Sequence, residues 1–222
     1  MNEVVMTQTA VPTPVRRAVR LPAASRYALL GIVLVVGAVL VTGYLTVALW
    51  RQVDPMTTPV SDYVFYGPGG VLFVLSVLLL LFGGLALVAG MTGVRMPRDR
   101  GVRVLFGLWC AGLVLCAVFP ANQVVGNPTV SGEIHRVGGA MFLTCLPLAG
   151  MRLARALVLD PRWTLTAGQV RGFATTAVVT AAAFGVSQVA TWLPLGLLER
   201  FALGAEAALL VVLALAVRRV AR

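Results

Sequence analysis

Residues 27–50 read YALLGIVLVVGAVLVTGYLTVALW, twenty-four residues without a charge. At 1.5 Å per residue a helix of that length reaches across the roughly 30 Å of bilayer hydrocarbon. A secretory h-region is about 7–15 residues long and ends at a small-residue cleavage site. This run is longer and no such site follows it, so it is expected to be a membrane-spanning helix. The residues before it, 1–26, hold several prolines, small polar residues and arginines and are expected to form a flexible cytoplasmic tail with a basic flank.

Five further runs of the same kind follow. The expected spans are 27–50, 68–92, 102–119, 134–155, 172–193 and 198–217, within a transmembrane domain of 27–217 and before a basic cytoplasmic end at 218–222. The last two are separated only by residues around Pro194 and Gly196, which predicts a tight antiparallel hairpin. Pro147 falls inside the fourth span and is expected to kink it. The fold class is therefore all-α, a bundle of six transmembrane helices. Fifteen arginines flank one set of span ends, and three (Arg51, Arg136 and Arg200) flank the other. The positive-inside rule then places both termini in the cytoplasm of a multi-pass cell-membrane protein. Trp50 and Trp192 fall at outer ends, as an aromatic belt requires, whereas Trp109 lies mid-span, where the belt does not account for it.

Composition agrees. The chain of 222 residues is 59% hydrophobic and 12% charged, against about 45–50% and 25% in soluble domains. Its net charge of +10 is spread in short clusters between apolar runs, a topology pattern that argues against nucleic acid as a partner. Membrane lipids are the expected surroundings. No phosphate-binding loop or dinucleotide fingerprint occurs, and no cofactor is expected. The three cysteines, Cys110, Cys116 and Cys145, lie in apolar runs without CxxC spacing and read as small buried side chains. With a single histidine, His135, no metal site is expected. Small-xxx-small pairs such as Ala86–Gly90, Gly107–Ala111 and Ala181–Gly185 allow close helix packing, but are common by chance in a chain this rich in Ala and Gly.

The polar residues gather on one side. Asp54, Asp62, Glu133, Glu199 and Glu206, five of the eight acids, fall on or near the outer side. Three outer loops bring forward Ser61–Asp62, then Glu133–His135–Arg136, then Glu199–Arg200. Taken singly, Asp62, Glu133 and Glu199 read as helix-start acids, with Ser131 resembling an N-cap. Glu206 does not, because it sits well inside the sixth span, where a lipid-facing charge costs several kcal/mol. It must be neutral or find a partner within the bundle. Gln188, at a similar depth on the fifth span, is the expected partner across the hairpin, with His135 and Arg136 as alternatives. Thr42, Thr46 and Ser76 lie in the outer halves of their spans. The expected candidate cluster is thus Ser61, Asp62, Glu133, His135, Gln188, Glu199, Arg200 and Glu206, around a cavity open to the outside above an apolar floor.

Ser61–Asp62 before the second span, Phe119–Pro120 closing the third, Thr129, Gly132 and His135 in a T..G..H arrangement, and Gly196–Glu199–Arg200 opening the sixth together resemble family 998 of the domains of unknown function. These are six-pass prokaryotic membrane proteins, and the resemblance spans roughly residues 30–217. Such proteins often carry an Asp soon after the Phe-Pro, where this chain has Ala121–Asn122. The resemblance implies a six-helix membrane domain and no established activity. The favoured reading is a membrane protein that binds a lipid or small amphiphile in the outer cavity. One alternative is a membrane-embedded hydrolase-like enzyme using the His and carboxylate cluster. A third is a proton-coupled transporter, for which a homo-oligomer could supply a missing half.

Overall fold

The computed structural model describes residues 22–122, 128–190 and 192–221. Six helices, each long and apolar enough to cross a membrane, make up this part of the chain, and no strand occurs among the described residues. They are α1 (Pro22–Ala48), α2 (Gly69–Gly93), α3 (Arg100–Val118), α4 (Val130–Leu157), α5 (Thr164–Ser187) and α6 (Leu195–Ala221). Single 3₁₀ turns, Val60–Phe65 and Pro161–Trp163, precede α2 and α5. The protein is a multi-pass helical membrane bundle, and large apolar side chains such as Val33, Leu40 and Val71 face outward where lipid replaces water as solvent.

Residues 1–21, most of the expected tail, lie outside the described residues. The rest of it, 22–26, is already helical. Helices need not stop at the edge of the hydrocarbon, and Ala24 is buried against Gly90 and Gly93 of α2, which extends α1 into its basic flank. Residues 218–221 likewise continue α6 instead of forming a separate end. Arg218 and Arg219 occupy its last turn, where cations complement the helix dipole. The largest shift is in the fifth span. Its helix starts at Thr164 and stops at Ser187. Thr166, Ala167 and Val170 are buried, so packing draws in two turns that look polar in sequence. Beyond Ser187 the chain turns toward Pro194, which cannot continue a helix. Helix α4 runs from Val130 to Leu157 through the buried Pro147 without a break.

The helices pack in chain order around a ring that α6 closes against α1, with α6 also touching α2 and α4. Capping fixes several ends. Asp99 accepts the Val102 amide at 2.7 Å and starts α3, and Arg152 of α4 donates to its other oxygen at 2.7 Å. That hydrogen bond holds the Asp99 carboxyl below the ordinary carboxylate range. At the end of α2 the Met96 amide donates to Met91 O and the Arg95 amide to Thr92 O. This is a Schellman closure, with Arg95 at φ 52° where glycine is usual.

Of the glycines in the expected pairs, Gly90 stands at a close approach, an added Cβ lying 3.2 Å from Ala24 O of α1, and further glycines outside those pairs do the same. Gly107 and Gly185 meet nothing within 4 Å, whereas Gly31 of α1 faces the Gly83 carbonyl of α2 at 3.1 Å from an added Cβ. Between α3 and α4 the contact is tighter, since a Cβ on Gly112 would stand 2.6 Å from Gly138 O and 2.8 Å from Phe142 N. These are backbone atoms and cannot swing aside. Gly112→Ala is therefore expected to lower stability by about 1–3 kcal/mol, read as a lower melting temperature in detergent. An unchanged melting temperature would contradict this crossing.

The interior is uneven. At the end of the bundle that carries most arginines, Leu87, Met91, Leu153, Leu157, Leu209, Leu210 and Leu213 are sealed. At the arginine-poor end the ring opens around a cavity.

Candidate functional site

The cavity measures about 1400 Å³ and lies among the arginine-poor halves of all six helices. Its floor is apolar, formed by Leu113 of α3, Leu143 of α4 and Ala207 of α6. Thr42 and Thr46 of α1 and Ser76 of α2 line its walls, and the segment Pro59–Asp62 reaches over it. Val39 and Val47 of α1 line it as well, yet are 49% and 71% exposed. Two side chains about 12 Å apart along the helix thus belong both to the cavity wall and to the outer surface of the bundle. The cavity opens sideways along α1, where the surrounding phase is lipid.

The reach of Pro59–Asp62 over the cavity is set by α6. Glu199 is buried and accepts a hydrogen bond from the Val60 amide. Its neighbour Arg200 donates to three carbonyls, Pro55 O at 2.9 Å, Thr58 O at 3.1 Å and Gly196 O at 2.7 Å, and to the Tyr63 hydroxyl at 2.6 Å. Its guanidinium also lies 5.3 Å from the Tyr63 ring centroid, and Tyr63 itself is fully buried. Gly196 is required where the loop touches the helix, since a Cβ there would stand 2.7 Å from Pro55 O. The expectation that Glu199 is a helix-start acid is therefore corrected. Helix α6 begins at Leu195 with no acid in its first turn, and Glu199 ties down a loop 139 residues away in sequence. Asp62 is not a cap either. It sits in the 3₁₀ turn, and α2 starts later, after Pro68.

That turn places Ser61 and Asp62 on the cavity. The Ser61 hydroxyl donates to Asp62 Oδ1 at 3.4 Å, a long bond. Burial raises the Asp62 carboxyl above the ordinary carboxylate range, and the Ser61 hydrogen bond opposes that shift.

His135 comes from the second turn of α4. The helix is started by Thr129, not Ser131: the Thr129 hydroxyl oxygen accepts the Gly132 amide at 3.0 Å, and Asn122 Oδ1 accepts from Thr129 in turn. His135 is 9% exposed and lines the cavity. Its Nδ1 lies 2.7 Å from the Phe119 carbonyl. A carbonyl oxygen only accepts, so Nδ1 carries a proton and donates it. Nε2 has no hydrogen-bond partner among the described residues. Glu133 and Arg136, on the same turns, pair with each other at 2.8 Å, and both are about half exposed or more. They stand at the mouth.

Two expected members of the cluster behave differently. Gln188 follows the end of α5, where it is exposed at the cavity rim, and forms no hydrogen bond with Glu206. Glu206 is 1% exposed and does not line the cavity. It lies beside Ala207 of the floor, and its Oε2 accepts from the Trp109 indole N–H at 3.2 Å. The partner expected across the hairpin is thus replaced by one from α3. Seven of the eight candidates line a single cavity and the eighth lies beneath it. Reasoning from sequence missed Trp109 and Tyr63. Trp109 carried a signal, an aromatic donor mid-span with no belt role. Tyr63 carried none beyond its place in a loop.

Among the described residues no three His, Cys, Asp or Glu side chains gather as a metal site would require. A family model described as "Protein of unknown function (DUF998)" matches residues 33–216. No curated protein and no solved structure matches the chain.

Proposed function

The chain belongs to the DUF998 family of unknown function, and from that premise we propose that it binds a lipid or small amphiphile in the arginine-poor cavity. The observation that carries this reading is the cavity itself, polar at one end, apolar at its floor and open along α1. Drug-sized ligands occupy pockets of about 300–1,000 Å³. A volume of about 1400 Å³ leaves room for a headgroup and an apolar chain together. The chain would lie against Leu113, Leu143 and Phe73, and the headgroup among Asp62, His135 and Glu199. The arginine distribution supports an outward-facing headgroup end by the positive-inside rule. Hydrolysis is less well supported, because the Ser61 hydroxyl is directed at Asp62 and forms no hydrogen bond with His135 among the described residues.

Gly139 supplies the test. It lines the cavity, and a Cβ there meets nothing within 4 Å among the described residues, so Gly139→Phe fills the space without straining the backbone. Wild-type protein purified from native membranes in mild detergent is expected to carry about one amphiphile per chain by native mass spectrometry. Gly139→Phe should carry roughly tenfold less, with a melting temperature within a few degrees of wild type. Equal loading of the two proteins, or none in either, would overturn the proposal.

A further inference from the structure

The hydrogen-bond inventory of the cavity is lopsided. Of its hydroxyl side chains, Thr46, Ser76, Thr144 and Ser187 donate to carbonyls of their own helices at 2.6–3.0 Å, and Thr57 and Ser61 donate to carboxylates. Their protons are used, and their lone pairs remain. The cations are used too. Arg200 is held by carbonyls and Tyr63, and Arg136 by Glu133. Asp62, His135 and Glu199 present acceptors, whereas the Thr42 hydroxyl and the Asn122 and Gln188 side-chain amides elsewhere on the lining donate to nothing among the described residues. His135 offers Nε2. Glu199 offers the oxygen not bonded to Val60, which has no partner among the described residues. Asp62 offers a carboxylate that among the described residues receives only the long bond from Ser61. His135 and Glu199 are both more than nine-tenths buried. Neither Asp62 nor Glu199 has an ion-pair partner within 4 Å among the described residues, where the pairs are Glu133–Arg136, Asp99–Arg152 and Asp160–Arg162.

Two carboxylates with acceptor capacity left over and an imidazole acceptor, without an ion-pair partner within 4 Å among the described residues, are costly away from water, and a ligand that supplies both charge and donors relieves that cost. An ammonium has three N–H donors and one positive charge. Among the described residues no three His, Cys, Asp or Glu side chains gather as a bare metal ion would require. We propose that the headgroup of the bound amphiphile is a primary amine, seated among Asp62, His135 Nε2 and Glu199, and that anionic headgroups are rejected. This deepens the amphiphile reading and rests on it.

The test uses delipidated full-length protein in nanodiscs of a zwitterionic lipid and four probes: dodecylamine, dodecyltrimethylammonium, dodecyl phosphate and calcium alone. Dodecylamine is expected to bind at least roughly tenfold more tightly than either dodecyltrimethylammonium, which keeps the charge but has no donor, or dodecyl phosphate. Calcium alone should leave the melting temperature unchanged. Asp62→Asn and Glu199→Gln should each abolish the preference for the amine. The glutamine carbonyl still accepts from Val60, so Glu199→Gln should melt as wild type does. If the phosphate binds as tightly as the amine, or the trimethyl compound does, the headgroup assignment fails while the cavity reading stands. Stabilisation by calcium would make the occupant a metal ion and also overturn it. If no amphiphile binds, the cavity reading itself fails.

Discussion

Trp109→Ala is expected to be the most damaging single substitution in the chain, lowering stability by about 3–5 kcal/mol. Trp109 is wholly buried, and its six-membered ring lies over Gly84 of α2 so closely that a Cβ on Gly84 would overlap it. Phe106 packs edge-on against it at 5.5 Å between centroids. Truncation therefore empties the junction of α2, α3 and α6 beneath the cavity floor. Loss of the hydrogen bond to Glu206 is the smaller part. Interhelical hydrogen bonds in membranes average about 0.6 kcal/mol and reach about 1.7. Trp109→Phe separates the two effects, since it keeps most of the packing and removes the donor, and should cost about 1–2 kcal/mol. Glu206 Oε1 is buried without a hydrogen-bond partner among the described residues, so an apolar replacement relieves a burden that Trp109→Phe makes worse. The double variant Trp109→Phe with Glu206→Met should thus be more stable than Trp109→Phe alone. Reversible unfolding in mixed micelles measures all of these. A double variant less stable than Trp109→Phe would show that Glu206 has another partner.

Arg200→Ala is expected to release the segment from Pro55 to Tyr63 without unfolding the bundle. Four hydrogen bonds to one guanidinium are lost, and hydrogen bonds to charged groups contribute about 1.5–3 kcal/mol each before their overlap is discounted. A local loss near 2.7 kcal/mol corresponds to roughly a hundredfold fall in exchange protection. That fall should appear at the Thr58 and Val60 amides, which donate to Asp54 O and Glu199, and not at amides of α2 or α4. Arg200→Lys should restore only part of it, because a single ammonium cannot span the same fork of acceptors. Amphiphile loading should fall with protection, since this segment carries Ser61 and Asp62. Unchanged protection in Arg200→Ala would contradict the clamp.

The clamp also shows what sequence could and could not reveal. Six spans are legible because a chain crossing lipid must satisfy its backbone internally over about twenty residues, and uninterrupted runs such as 27–50 have no other use. The placement of Ser61, Asp62, His135, Glu199 and Arg200 at one end of the bundle is legible too, since alternation of spans leaves their loops only that end to occupy. Roles are less legible. Asp62 and Glu199 read as caps because a cap is a local device, whereas the Glu199–Val60 bond joins residues far apart in the chain and depends on where a loop folds back. The Gln188–Glu206 pairing failed for a related reason. Adjacency in a hairpin does not fix which side chains face each other, and α5 ends before Gln188. Glu206 did announce that it needed a partner, and Trp109, unexplained at mid-span, was the donor at hand.

The central claim is that the arginine-poor cavity holds an amphiphile that enters along α1. A density map of the full chain in native-lipid nanodiscs, without added ligand, tests it most directly. The predicted result is an elongated density with its head among Asp62, His135 and Glu199 and its tail over Leu113 and Leu143, absent from the Gly139→Phe map. A cavity closed by movement of α1 onto α6, or one holding only isolated water-sized peaks, would contradict the account.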